Sequence, residues 1–287
     1  MSSNWSKCSF AVPVVFAETF AWLLAQSLDH PIETLDGTTM SKWVDTDKTA
    51  VVASFDGSPP PELDAHVDAI CTQLSIEPVS IHTERVEDDS WKEGWKAFFE
   101  PQLINETLCI YPPWKDKPIA PYGIEIEPGM AFGTGTHETT QMMLSMMLKH
   151  LSTSSSVEIL DVGAGSGILS IAAEKFGHRV LGIELDPVAV ENARVNVKRN
   201  ECKSVQLRAG TLQASDTPRP WVLVNILAKI IMSIHTEIQR VSGDHLLLSG
   251  FLLSQRAELL AHFPMFKVVD EIELGPWGCV YLRRVRS

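Results

Sequence analysis

The residues of this chain best suited to chemistry lie in a short glycine-rich stretch, Asp161-Val162-Gly163-Ala164-Gly165-Ser166-Gly167. An apolar run, Glu158 to Val162, leads into it, and a helical pattern starts at Ile168. Glycine is required where a backbone turns sharply or passes within contact distance of a bound group, because a Cβ would intrude. Ligands of open α/β sheets sit at such strand ends. The spacing is G-x-G-x-G, whereas dinucleotide loops read G-x-G-x-x-G and aim a helix N-terminus at a pyrophosphate. Asp161, two positions ahead of the first glycine, opposes a bound anion but can help hold a cationic amino-acid moiety, directly or through water. The loop therefore favours a ligand without phosphates, and its glycines are read as allowing that ligand's close approach.

Three further residues extend this pocket. Glu184 ends the next strand, about twenty residues on, where a carboxylate can accept both ribose hydroxyls of an adenosine. Asp186-Pro187 behind it reads as the cap and first residue of a helix. Asn225 ends the run Val222-Leu223-Val224 and brings an uncharged amide, both donor and acceptor, to the same sheet edge, where it can hold a substrate amine. His137 stands at a helix start, as a candidate general base or as a capping residue. An adenosine bearing a cationic amino acid, with an amine beside it, describes S-adenosylmethionine and a methyl acceptor.

Such a transfer needs a neutral amine in line with the methyl, so the protein must align, deprotonate and exclude water. Neutralising an ordinary lysine at pH 7 costs about 4 to 5 kcal/mol, against about 1 for an α-amino group. A desolvating pocket has to supply the difference. The stretch Phe132 to Thr136, whose glycines permit movement, is expected to close over the methionine part of the cofactor. Phe132 would offer its ring to the sulfonium or to the substrate's alkyl chain, with Thr134 beside it.

These residues need a frame that brings distant strand ends together. From residue 107 onward strands and helices alternate: strands at 158–162, 179–183, 205–209, 221–224 and 246–248, and helices at 138–151, 169–176, 187–200 and 227–241. That pattern means a parallel sheet with helices on both faces. Phe266 to Leu274 and Gly278 to Arg283 read as a closing antiparallel hairpin. Two runs at the entry, Leu108 to Tyr111 and Gly123 to Ile126, read as hairpin-like.

The front of the chain is different. Strand 6–15, helix 18–27, strands 32–38 and 49–55, a helix from Leu63 to Leu74 opened by Pro59-Pro60-Pro61, and strand 79–85 give the order βαββαβ of ferredoxin-like domains. Trp91, Trp95, Phe98 and Phe99 suit a short amphipathic junction helix. The expected division is a ferredoxin-like domain over 1–85, a linker over 86–106 and a doubly wound Rossmann-like domain over 107–287.

With 45% apolar and 21% charged residues, the composition is that of a soluble globular protein. Five scattered cysteines suggest neither a disulfide framework nor a zinc cluster, so no metal is expected and reduced thiols in a cytoplasm fit. Pro13, Glu18 and Gln26 interrupt the apolar stretch from Phe10 to Leu28, which excludes a membrane span or signal peptide. The net charge of −12 argues against direct nucleic-acid binding. Residues 1–103 hold 6 Lys and Arg against 17 Asp and Glu, a balance of −11, which leaves −1 for the rest. The acidic front is either a solubilising surface or a docking surface for a basic macromolecule.

The stretch Pro128-Gly129-Met130-Ala131-Phe132-Gly133-Thr134-Gly135-Thr136-His137-Glu138-Thr139-Thr140 closely resembles the ribosomal protein L11 methyltransferase family, PrmA. The likeness continues through Asp161 to Gly167, Gly182 to Pro187, Asn225-Ile226-Leu227-Ala228, Ser249 to Leu252 and Gly275-Pro276-Trp277. It implies a class I methyltransferase domain in which Thr140, Gly163, Glu184 and Asn225 contact S-adenosylmethionine. Family members usually carry Asp where this chain has Glu184, and the longer side chain can make the same bidentate contact. Gly165 and Gly167 are expected in the same cofactor loop. The resemblance further implies methylation of lysine or N-terminal amines of a basic large-subunit ribosomal protein, captured by the small front domain. A cytoplasmic monomer is expected. Two alternatives stay open: a methyltransferase for another protein lysine or small amine, and a cofactor-binding module without catalysis.

Overall fold

In the computed structural model, which describes residues 5–28, 32–35, 48–86, 100–127, 137–151 and 155–285, the chain forms two compact units, Met1–Glu100 and Pro101–Ser287. The first unit runs β1 (Trp5–Pro13), α1 (Ala17–Leu28), β2 (Ile32–Leu35), β3 (Lys48–Asp56), α2 (Leu63–Leu74) and β4 (Ile81–Val86). Its strands are antiparallel in the order β2-β3-β1-β4, the interleaved arrangement expected of βαββαβ. Alternation decides which face is covered: Cys8, Phe10 and Val12 of β1 and Val51, Ala53 and Phe55 of β3 share one core with Phe20 and Leu24 of α1 and Val67, Ile70 and Leu74 of α2. Each such aliphatic or aromatic side chain contributes about 1.5–3 kcal/mol on burial. The proline run stops β3 from continuing, and α2 ends where Ser75 turns left-handed at φ 55°.

The second unit opens with a three-stranded sheet: β5 (Gln102–Ile104), β6 (Leu108–Tyr111) and β7 (Tyr122–Glu125). Here the expectation of a hairpin-like pair at 108–111 and 123–126 is corrected, because β6 and β7 run parallel. The hairpin is instead β5 with β6, and β5 lies within the stretch read from sequence as linker. Asn105 and Glu106 both sit at positive φ, 48° and 57°, and Thr107 N–H closes the turn on the Ile104 carbonyl at 3.1 Å. Without glycine at either position, the turn carried no strong signal. The residues between β6 and β7 are enough for a crossover rather than a tight reversal.

The main sheet follows: α3 (Glu138–His150), β8 (Glu158–Val162), α4 (Ile168–Lys175), β9 (Arg179–Glu184), α5 (Pro187–Arg199), β10 (Val205–Ala209), β11 (Arg219–Asn225), α6 (Ala228–Ser233), α7 (His235–Val241), β12 (Ser242–Leu252), α8 (Arg256–Ala261), β13 (Phe266–Leu274) and β14 (Trp277–Arg284). Strand order is β10-β9-β8-β11-β12-β14-β13, with β10 to β12 parallel and β14 antiparallel to both neighbours. The chain winds outward from β8 to β10 and then returns to the other side of β8. A crevice must open at the carboxyl ends of β8 and β11, where connections leave in opposite directions.

Two elements depart from expectation. The single helix read over 227–241 is two, α6 and α7, broken at Ile234 (φ −114°, ψ 19°). Ile231, Ile238 and Val241 remain buried on both sides of the break, so the apolar period reads straight through it. Strand β12 spans eleven residues rather than the expected three. Gly250 interrupts its pattern, yet the strand continues through an irregular register between Ser249 and Phe251, with Gly250 at φ 88°. Among the described residues, no helix is long and apolar enough to cross a membrane.

Candidate active site

Strands β8 and β11 are in register from Ile159–Trp221 to Val162–Val224, so Gly163 and Asn225 leave the sheet side by side at the crevice. Gly163 (φ 76°), Gly165 (φ 53°) and Gly167 (φ 82°) all adopt the left-handed region that glycine alone enters without strain. The amides of Gly163 and Ala164 both donate to the Ile183 carbonyl, at 2.8 and 3.0 Å, which hooks the loop onto the end of β9. At Gly163 the protein itself leaves no room for a side chain: a Cβ there would collide with Cγ2 of Ile226 at the exit of β11.

Glu184 braces the glycine loop, a role the sequence does not show. Its Oε2 accepts from Gly165 N–H at 2.9 Å and its Oε1 from Asp186 N–H at 3.0 Å, bracing the glycine loop from β9. Each carboxylate oxygen keeps a further lone pair, so the half-buried group can still receive two ribose hydroxyls. Asp186 caps α5 by accepting from Val188 N–H at 2.8 Å, with Pro187 at the first helical position.

Asp161 is fully buried. Its Oδ2 accepts from the Ser170 hydroxyl at 2.6 Å, and its Oδ1 has no partner. Burial pushes the carboxyl up to about 6, the Ser170 hydrogen bond opposes this, and the Glu184 charge adds to it. A buried carboxylate with an unpaired oxygen is costly unless a cation or donor reaches it, so the group suits a ligand ammonium or a bridging water.

Asn225 is buried, with Nδ2 donating to Oγ1 of fully buried Thr140 at 3.4 Å, across 85 positions of sequence. Its Oδ1 is buried and has no partner. The packing of α3 against the sheet thus joins Thr140 to Asn225 and leaves one amide oxygen free to accept. Phe132 and Thr134 lie outside the described residues. Among those described, no group of three or more His, Cys, Asp and Glu is placed to hold a metal ion.

His137 caps α3: its Nδ1 accepts from Thr139 N–H at 3.2 Å and lies 2.8 Å from the Thr139 hydroxyl. Its ring meets Trp277 edge-on at 5.1 Å. Burial lowers its pKa from 6.5 to about 4, so at pH 7 it is a neutral, committed cap. Because the unfolded chain takes up this proton first, the stability from neutral His137 is complete above pH 6.5 and is lost as pH falls toward 4. It amounts to about 2–4 kcal/mol. Asp161 acts in the opposite sense, since its cost is relieved as pH falls from about 6 toward 3.8. His137→Asn keeps a capping acceptor without the titration. Its melting temperature is therefore expected to fall less than the parent's between pH 6.5 and 4, and parallel curves from thermal melts would refute this assignment.

Sequence reasoning missed Ser170, Ile226 and Asn196. Ile226 gave no chemical signal. Asn196 did give one, because it continues the buried line Ala189, Val190 and Ala193 along α5 with a polar side chain.

A family model described as ribosomal protein L11 methyltransferase (PrmA) matches residues 5–285. Two proteins named ribosomal protein L11 methyltransferase, from Clostridium botulinum strains Eklund 17B (type B) and Alaska E43 (type E3), are 33% identical over 210 and 211 residues. Each alignment takes in 70% of this chain and 66% of the relative, just under two thirds of its length. The crystal structure of a ribosomal protein L11 methylase from Lactobacillus delbrueckii subsp. bulgaricus is similar at a TM-score of 0.59 and 26% identity, over 64% of this chain and 98% of that one. From its sheet order, its glycine loop and a family match that runs almost end to end, the chain belongs to the ribosomal protein L11 methyltransferase (PrmA) family.

Proposed function

We propose that this protein transfers methyl groups from S-adenosylmethionine to lysine or N-terminal amines of ribosomal protein L11. The observation that carries the reading is the free, buried Oδ1 of Asn225 beside the glycine loop at the switch point of the sheet. When bound, S-adenosylmethionine supplies an electrophilic methyl on a sulfonium. Glu184 would hold its ribose, Asp161 its ammonium group directly or through water, and Thr140 would fix the Asn225 amide from behind. Asn225 Oδ1 then accepts from an N–H of the incoming neutral amine and turns the nitrogen lone pair toward the methyl. Donor and acceptor end as a sulfide and a protonated methylamine, whose proton leaves to water. His137 is not needed in this scheme, since it is engaged as a cap.

The first unit supplies the docking surface in this reading. Glu62, Asp64, Asp68 and Glu77 of the α2 region are exposed and would attract a basic partner over about 8 Å at cellular salt. Specificity has to come from shape. The protein is read as a monomer and as cytoplasmic, the latter in keeping with five free cysteines.

The test is incubation with methyl-labelled cofactor and a ribosomal protein extract. Label is expected in the L11 band, on lysine or the N-terminal amine. Label confined to another protein would reassign the substrate, and cofactor binding without any labelled band would leave a binding module.

A further inference from the structure

Resting on the cofactor-site reading above, we propose that Asn196 is a positioning residue that holds the glycine loop in its binding conformation, from a different element than the one that carries Glu184. Asn196 lies inside α5, is 2% exposed, and uses both ends of its amide. Nδ2 donates to the Ser166 carbonyl at 2.9 Å, and Oδ1 accepts from Glu127 N–H at 3.1 Å. A buried asparagine in mid-helix costs helix propensity and desolvation, and these two bonds offset that cost.

The two partners matter because of where they stand. Three residues at positive φ within five positions give the loop little intrinsic preference for one shape. Two of its peptide groups are held from two elements: Gly165 N–H by Glu184 at the end of β9, and the Ser166 carbonyl by Asn196 of α5. Glu184 is also assigned a ligand contact, so its loop-bracing role cannot be isolated by mutation. Asn196 is assigned no ligand contact.

The same amide ties the loop to the exit of β7. Asn200, one turn on, accepts from Glu125 N–H at 2.9 Å and donates to the Glu125 carbonyl at 2.6 Å. Arg199 pairs with the carboxylates of Glu125 and Glu127. Asn196 and Arg199 of α5 and Asn200 just after it therefore grip residues 125–127, and of these three Asn196 extends that grip to the glycine loop. A loop held in its bound shape before ligand arrives saves the ordering cost at binding, so the effect belongs in cofactor affinity and not in the rate of transfer.

Asn196→Asp isolates the loop contact. It keeps the acceptor for Glu127 N–H and replaces the donor facing the Ser166 carbonyl with a second oxygen. Asn196→Ala removes both contacts, and Asn200→Ala loosens the Glu125 grip without touching the loop. By calorimetry with S-adenosylhomocysteine, Kd is expected to rise about tenfold or more in both Asn196 variants and to stay within about twofold in Asn200→Ala. The cofactor KM should rise with Kd while kcat at saturating cofactor changes by less than about twofold. Amide hydrogen exchange on the ligand-free proteins should be faster at residues 163–168 in Asn196→Asp and unchanged there in Asn200→Ala. Parental exchange in Asn196→Asp, or equal loss of affinity in all three variants, would overturn the proposal. Faster exchange in a protein whose parent binds no cofactor would overturn the methyltransferase reading and leave Asn196's role standing.

Discussion

Gly163→Arg is expected to abolish cofactor binding, and even Gly163→Ala should destabilise the fold by about 2–5 kcal/mol. Two independent penalties add at this position. At φ 76° any L-side chain is strained, and a Cβ would run into Ile226 Cγ2 where β8 and β11 leave the sheet. Ile226 has little room to yield, because its own backbone lies against Gly250 of β12. The glycine loop would have to lift, breaking the paired donations of Gly163 and Ala164 to the Ile183 carbonyl. Gly177→Ala is the control: φ is 96° there, with nothing within 4 Å of the added methyl. It should show only the backbone cost, about 1–2 kcal/mol, with parental cofactor affinity. Urea unfolding and calorimetry on the three variants separate these contributions. Equal losses in Gly163→Ala and Gly177→Ala would mean that the Ile226 contact carries no weight.

Asn225→Ala is expected to keep cofactor Kd within about threefold and to lower kcat about 100- to 1000-fold, the usual loss when one oriented polar contact to the reacting group is removed. The asymmetry follows from the bonds observed. One Asn225 N–H goes to Thr140, over a long 3.4 Å, while the amide oxygen is buried and unclaimed. A buried acceptor without a partner is set for a group that arrives later, and a neutral amine has the N–H to meet it. Glu184 and the loop, to which the nucleoside is assigned in the proposed function, are untouched by the change. Single-turnover methylation of L11 alongside cofactor titration gives both numbers, and undiminished turnover would remove Asn225 from the mechanism.

Much of this site is legible in the chain because its signals are local. The G-x-G-x-G spacing, the acidic end of β9 and the amide end of β11 all follow apolar runs, and consecutive strands of a wound sheet must present their ends on one edge. The βαββαβ order of the front unit is legible for the same reason, since alternation and helical spacing are properties of neighbouring residues. Where the local signal was absent or misleading, the reading went astray. Asn105-Glu106 turns without glycine, Gly250 lies within a continuing strand, and the helix break at Ile234 leaves the apolar period intact.

The sequence by itself determined the two architectures, the cofactor class and the residues that line the strand ends, because these depend on side-chain type and spacing along one stretch of chain. Only the tertiary structure decided what each residue is free to do. His137 becomes a neutral cap because Trp277, far along the chain, helps bury it. Gly163 is required by Ile226, Asn225 is half committed to Thr140, and Asn196 joins the loop to β7. Each of these pairs residues at least 30 positions apart, and whether a donor, an acceptor or a methyl group is already engaged depends on contacts that no local pattern encodes.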